Sequence, residues 1–298
     1  MIEPQVVGMF TTLFRGRGDV YGHEEGRCVK EPLTYEIFQQ HLEGVQPIGV
    51  YPIVPINGVC HVAWGCSDID IEDLAGAKKI QSALLAVKVK AFIERSRSKG
   101  YHVWVFAEQA VPASIMRRML LCAHQVAEYP AKEVNPKQEN LALGQYGNYV
   151  RLPYYDALNM SDSHRRILDA NDNAMPLNDF LSEALSNRIP TDIITHLASL
   201  WREPEVTHTV IDMSMTVGVS EALGHISPLG KVIWRDGPLP NKDRSTTLAK
   251  LGHECVRSSM TPSETKVVLL DADRRWGKYH LRPNGELEID KLVVRVFS

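Results

Sequence analysis

The residues Pro55-Ile56-Asn57-Gly58 lie between two β-rich runs, 49–54 and 59–64, and constrain the fold more than any other stretch of the chain. Asn-Gly favours a two-residue hairpin turn because both of its residues tolerate positive φ, so the flanking runs are expected to pair as antiparallel strands. The second run continues through Cys66 and Ser67 into Asp68-Ile69-Asp70. A helix over 74–96 is predicted next, from its Ala, Leu, Lys and Gln content and from apolar residues at Ile80, Leu84, Val87 and Phe92. A strand over 101–107 and a helix over 112–128 follow, the helix with Pro112 in its first turn and Ile115, Met119, Leu120 and Ala123 on its inner stripe. Upstream, Thr34 is a candidate N-cap for a helix reaching Leu42. Strands alternating with helices in this way imply an α/β or α+β domain ending near Asp156.

The later chain has a different character. Pro176 to Trp201 reads as two helices broken at Pro190, and 207–241 is punctuated by glycine and proline. Helices are expected over 245–260 and 262–276, the second opened by Thr261-Pro262-Ser263-Glu264, a capping box with proline in its first turn. The expected organisation is a catalytic-looking module over 1–160, a partly helical connector over 161–240 and a small helical module over 241–298. With 298 residues, 44% of them hydrophobic and 23% charged, the chain can bury a core, which excludes the disordered and collagen-like classes. No apolar run approaches the ~18 residues of a membrane span. The first ten residues carry Glu3 where a signal peptide has a basic region, so a cytoplasmic protein without a membrane partner is expected. Five cysteines without a secretion signal point to free thiols, and Cys60-His61, Cys66 and Cys122/His124 lack the spacing of zinc ligands.

A formal charge of −3 hides an uneven distribution: Lys78 to Arg118 holds nine basic residues and two acidic ones, a local charge of +7. Such a segment is either a footprint for phosphates or nucleic acid or a solvated helical face. Three constellations carry chemistry. Asp68 and Asp70 share a face if the strand persists, with Ile69 turned to the core. Two carboxylates so placed suit hard divalent cations bound through oxygen; a polar strand end, with Glu72 and Asp73 capping the next helix, is the plainer alternative. In Ser96-Arg97-Ser98-Lys99-Gly100-Tyr101-His102, His102 starts a strand whose same face carries Trp104 and Phe106. The loop before it supplies Ser98, Lys99 and a backbone freed by Gly100, a set of donors that an oligophosphate needs. A basic hairpin with a packed histidine is the alternative there. Finally, Glu133-Val134-Asn135-Pro136-Lys137-Gln138 and Gly147-Asn148-Tyr149-Val150-Arg151-Leu152-Pro153 set an acid beside a lysine, then an Asn and an Arg on a short strand that Pro153 ends.

In this order D-x-D, S-x-x-x-H on a strand, an acid with P-K-Q, and G-N-x-x-R-L-P resemble the catalytic core of the archaeo-eukaryotic primase superfamily, the primase-polymerases, above all the phage and mobile-element branch. Phe14-Arg15-Gly16-Arg17, Asp19-Val20-Tyr21-Gly22, Pro32-Leu33-Thr34, His41-Leu42-Glu43-Gly44 and Gly49-Val50-Tyr51 extend the resemblance over about residues 1–160. The resemblance implies an α+β fold: an RRM-like sheet beside a second small α/β unit, the active site between them, and a small helical C-terminal domain after them. It implies a DNA-directed nucleotidyltransferase that joins NTPs or dNTPs on a single-stranded DNA template, including primer synthesis in replication. Asp68, Asp70 and Glu133 are then the catalytic carboxylates and the ligands of two Mg2+ or Mn2+ ions, with Asp156 competing for the third place. Ser98, Lys99 and His102 grip the triphosphate, and Lys137, Asn148 and Arg151 match nucleotide-binding positions. Lys242-Asp243-Arg244-Ser245, Asp271, Arg274-Arg275-Trp276 and Lys278 resemble the small helical domain that assists priming. A helicase partner is implied on a separate or continuing chain, because Gly224 to Lys231 has five residues between its glycines and is followed by Val232, unlike a Walker A loop. Two other classes stay open. A non-catalytic replication-initiation module would hold phosphate backbones with the +7 segment and has no need of Asp68, Asp70 and His102 together. A metal-dependent nuclease would use the carboxylates without a triphosphate grip.

Overall fold

The computed structural model describes residues 2–159, 163–203, 213, 217–238, 240 and 243–297. They fall into two compact units, Met1–Glu203 and Pro204–Ser298. The first unit begins with α1 (Pro4–Leu13), β1 (Tyr21–His23), β2 (Cys28–Val29), α2 (Tyr35–Leu42), β3 (Ile48–Val50), β4 (Val54–Ile56) and β5 (Val59–Ile69). It continues with α3 (Leu74–Ala86), β6 (Phe92–Arg95), β7 (Tyr101–Pro112), α4 (Ala113–Val126), β8 (Glu133–Asn135), β9 (Val150–Arg151), β10 (Arg166–Ile167), α5 (Leu177–Ser186) and α6 (Thr191–Leu200). The fold is mixed α and β, with two antiparallel sheets: β2-β1-β3-β9, and β10-β6-β7-β5-β4 with β8 also on β5.

Asn57 and Gly58, at φ 51° and 81°, close the expected hairpin and set Ile56 opposite Val59. The run expected over 49–54 does not pair as a whole: Gly49 and Val50 join the other sheet in β3, and only Val54 of that run enters the hairpin, with Pro55 and Ile56. β5 then runs far beyond the turn. β7 covers one of its edges, while the other edge is shared: β4 lies along Val59–His61 and β8 along Cys66–Asp68. One irregularity interrupts the β5–β7 ladder. Val62 faces Val111 and Trp64 faces Phe106, so Ala63 stands opposite a four-residue bulge, 107–110.

Alternation along the strands gives the six-stranded sheet two apolar faces. Trp64, Cys66, Phe92, Trp104 and Phe106 pack with Phe10, Phe14 and Phe180 of the α1 and α5 side, Phe14 meeting Trp104 and Phe106 edge-on at 5.2 and 5.3 Å. Ile69, Ile93, Val103 and Val105 pack on the other face with Ala77 and Ile80 of α3 and Met116 and Leu120 of α4. Each such side chain contributes roughly 1.5–3 kcal/mol by leaving water.

Three other local expectations change. The helix predicted over 74–96 ends at Ala86; Lys88 takes φ 61° and the chain re-enters the sheet as β6, where Phe92 pairs with Trp104. Ladder bonds to β7 and burial on both faces outweigh a helical spacing that Phe92 merely continued. Thr34 stands at the N-cap of α2, but its side chain makes no capping bond. Residues 163–203 pack within the first unit, since β10 pairs with β6 and Phe180 joins the aromatic core.

The second unit is helical: α7 (Val219–His225), α8 (Pro228–Asp236), α9 (Arg244–Arg257), α10 (Pro262–Trp276) and α11 (Gly285–Phe297). Its core gathers Leu248, Leu251, Val268, Leu269, Ile289 and Val293. The capping box of Thr261 and Glu264 is formed in full, satisfying donors that the first turn leaves open. Asp273, buried at the other end of α10, accepts the backbone N–H groups of Lys278, Tyr279 and His280 at 2.9, 3.0 and 2.5 Å and so holds the turn toward α11. Lys242 and most of 204–216 lie outside the described residues. All five cysteines are free, and among the described residues no helix is long and apolar enough to cross a membrane.

Candidate active site

The aromatic face of the six-stranded sheet changes character at one end. Along β7 it passes from Phe106 through Trp104 to His102, and along β5 from Trp64 through Cys66 to Asp68. Three registers then agree: Glu133 of β8 lies opposite Asp68 of β5, Asp68 opposite His102 of β7, and His102 opposite Glu94 of β6. Directly opposed residues share a face, so Glu133, Asp68, His102 and Glu94 form one row across four strands. Arg117 of α4 secures the row's outer member by donating to the carbonyls of Val134 and Pro136, at 2.6 and 3.0 Å.

His102 is buried between two acids. Its Nδ1 is 2.8 Å from Glu94 Oε2 and its Nε2 is 3.5 Å from Asp68 Oδ1. Burial alone would lower its pKa, but the Glu94 and Asp68 carboxylates outweigh burial and raise it to about 10. Glu94, 2% exposed, also accepts the indole N–H of Trp104 at 2.7 Å, so the last aromatic of the core orients the first polar group of the site.

The row opens into a cleft of about 310 Å3 that also takes in Asp70, Ser98, Lys99 and Arg151. Its loop, 96–100, is pinned at its end. Gly100 has φ 104°, and a Cβ there would lie 2.1 Å from the Ile69 carbonyl oxygen, so only glycine lets β7 start against the end of β5. The sequence expectations divide accordingly. Asp68, Asp70, Glu133, Ser98, Lys99, His102 and Arg151 line the cleft; Lys137 and Asn148 do not. Lys137 forms an ion pair with Glu133, and the Asn148 Oδ1 accepts from Gln138. Asp156, the competing third acid, lies against Gly44 and away from the cleft lining.

Several contributors carry no role in the sequence expectations. Arg97 and Arg165 line the cleft, and both donate to Glu24 of the β1–β2 hairpin. Burial pushes the Glu24 carboxyl upward, but the two guanidinium groups prevail and hold it below the usual carboxylate range. The buried Glu94 and the cleft residues Asn135 and Tyr149 complete the set.

Among the described residues no three His, Cys, Asp or Glu side chains converge as a closed ligand set. The donors nevertheless suit a hard cation: Asp68, Asp70 and Glu133 offer only oxygen, and Mg2+ takes one or two carboxylates and completes its shell with water and substrate phosphate.

The sequence model of the archaeo-eukaryotic primase domain of TOTE conflict systems matches residues 23–185. Among solved structures the chain is similar to the crystal structure of primase RepB′, at 12% identity and TM-score 0.32, covering 99% of this chain and 94% of that one. No curated protein matches.

Proposed function

The chain belongs to the archaeo-eukaryotic primase family of TOTE conflict systems, and on that footing we propose that it is a primase-polymerase, transferring nucleotidyl groups from NTPs or dNTPs to a 3′-hydroxyl on a single-stranded DNA template. The observation that carries this reading is the row Glu133–Asp68–His102–Glu94, with a basic loop beside it at the open end of an aromatic core. Asp68 and Asp70, with Glu133 next to them, would hold Mg2+ or Mn2+. Bound there, such ions neutralise phosphate charge and activate the attacking hydroxyl. Lys99, Arg97, Arg151 and Arg165 offer N–H donors to the triphosphate, and Ser98 offers a hydroxyl. His102 faces the same space, its ring fixed by Glu94, and contributes placement and charge without moving a proton. The helical second unit would assist priming. The family description names conflict systems and the motifs suggested replication; the nucleotidyl-transfer chemistry is the same in both settings.

The test is incorporation of labelled NTPs and dNTPs on single-stranded DNA, with and without a primer, in Mg2+ and in Mn2+. New strands made without a primer, and a loss of at least about a thousandfold in Asp68→Ala/Asp70→Ala with unchanged folding, are expected from removing several kcal/mol of charge stabilisation. Extension of primed template alone would restrict the activity to polymerisation. DNA binding without incorporation in either metal would favour the non-catalytic module, and degradation of the strand would favour the nuclease.

A further inference from the structure

We infer that Glu24 is the positioning residue of the cleft's basic wall, tying together three arginines that face the triphosphate. The inference rests on the reading of the cleft as a triphosphate site. Glu24 Oε1 accepts from Arg97 Nη1 at 2.8 Å and from Arg165 Nη2 at 2.5 Å, and the Glu24 carbonyl accepts from Arg151 Nη2 at 3.0 Å. The three donors come from the loop after β6, from the residue before β10 and from β9, which nothing near them in sequence brings together.

The arrangement distinguishes support from competition. Arg97, Arg151 and Arg165 line the cleft, whereas Glu24 does not. The carboxylate therefore stands behind the guanidinium groups and leaves the space of a phosphate free. Each contact uses one of a guanidinium's five N–H donors, so donors remain for a ligand, the buried Arg151 Nε excepted. The post itself is fixed. The Tyr149 hydroxyl donates to the His23 carbonyl at 3.0 Å, and the Tyr149 ring lies so close over Gly22 that a Cβ there would come within 2.3 Å of it. Without Glu24, Arg97, whose side chain is 47% exposed, would regain its rotamers, and two like charges would face each other without their shared counterion. Freezing one arginine side chain again on binding is worth about tenfold in affinity.

Titration of the 298-residue chain with ATP and with dATP tests this, in wild type, Glu24→Ala, Arg97→Ala/Arg165→Ala and the triple variant. Glu24→Ala is expected to raise Kd about tenfold, to leave turnover at saturating nucleotide within about twofold, and to add no further loss in the double-arginine background. Glu24→Gln keeps an acceptor oxygen at the same reach; it should show a smaller loss of the same kind and serves if the alanine variant does not fold. Equal binding overturns the inference. So does tighter binding, which would make the carboxylate a competitor of phosphate, and so does a loss that persists without the arginines or falls on turnover. Wild-type protein that binds neither nucleotide defeats the triphosphate reading itself, and Glu24 with it; wild type that binds while both Glu24 variants match it defeats Glu24 alone.

Discussion

His41 and His102 are both buried in the first unit, and their surroundings drive them in opposite directions. His41 lies among the aromatic residues, its ring stacked on Phe10 at 5.9 Å, with Nε2 donating to the Pro153 carbonyl at 2.8 Å and Nδ1 accepting the Ile48 N–H at 3.2 Å. Burial dominates there and lowers its pKa to about 4, which the Pro153 carbonyl only partly offsets. His102 is as deeply enclosed, yet two carboxylates flank it and its pKa rises to about 10. Burial therefore does not decide whether a histidine is charged; the partners at its two nitrogens do. One imidazole serves as a neutral brace between α2 and β3. The other belongs to a charged row that would be unstable without it.

The largest expected effect tests that last statement. His102→Gln leaves Glu94 buried with no cationic partner in the row, and breaking a buried pair of this kind typically costs about 3–5 kcal/mol. Urea unfolding at pH 7 measures it, and a variant as stable as wild type would show that Glu94 does not depend on the imidazolium.

The aromatic end should respond to acid. Above pH 6.5 the His41 ring is neutral in folded and unfolded chains alike, and its full contribution is present. As pH falls from 6.5 toward 4 the unfolded chain takes up the proton first, so about 3 kcal/mol of stability is lost across that window. His102 acts in the opposite window: its contribution is present below 6.5 and is lost as pH rises through about 10. Unfolding curves between pH 7 and 4 should therefore differ between wild type and His41→Gln, and parallel curves would remove His41 as the cause.

A smaller effect lies on the boundary between the two regions. Trp104→Phe keeps most of the ring in the aromatic core but deletes the N–H that Glu94 accepts, which is expected to destabilise by about 2 kcal/mol. If stability is unchanged while nucleotide incorporation falls, the indole matters for orienting Glu94 and His102 and not for the fold.

The sequence exposed whatever depends on neighbours along the chain. Asn57-Gly58 announced its hairpin, Thr261 to Glu264 its capping box, and Pro190 the break between α5 and α6, because turn and cap chemistry act within a few residues. The period-2 face of His102, Trp104 and Phe106 was equally legible. β6 was not, since its strand state comes from pairing with β7 while its apolar spacing also continues α3. The basic wall was the least legible part. Glu24 and Arg165 meet across 141 positions, and no local pattern marks either. Lys137 and Asn148 show the converse, matching a motif while lying off the cleft lining.

The bulge at 107–110 bears on how this chain tolerates changes of length. Side chains alternate with period two, so removing a single residue from β7 between His102 and the bulge would change the parity of the strand and set Tyr101 where the imidazole belongs. The bulge already accommodates a mismatch on the C-terminal side of His102, where Ala63 faces four residues. It is the position at which an insertion or deletion can be taken up with Glu133, Asp68, His102 and Glu94 still in phase, whereas the same change between His102 and the bulge takes His102 out of register with Asp68 and Glu94.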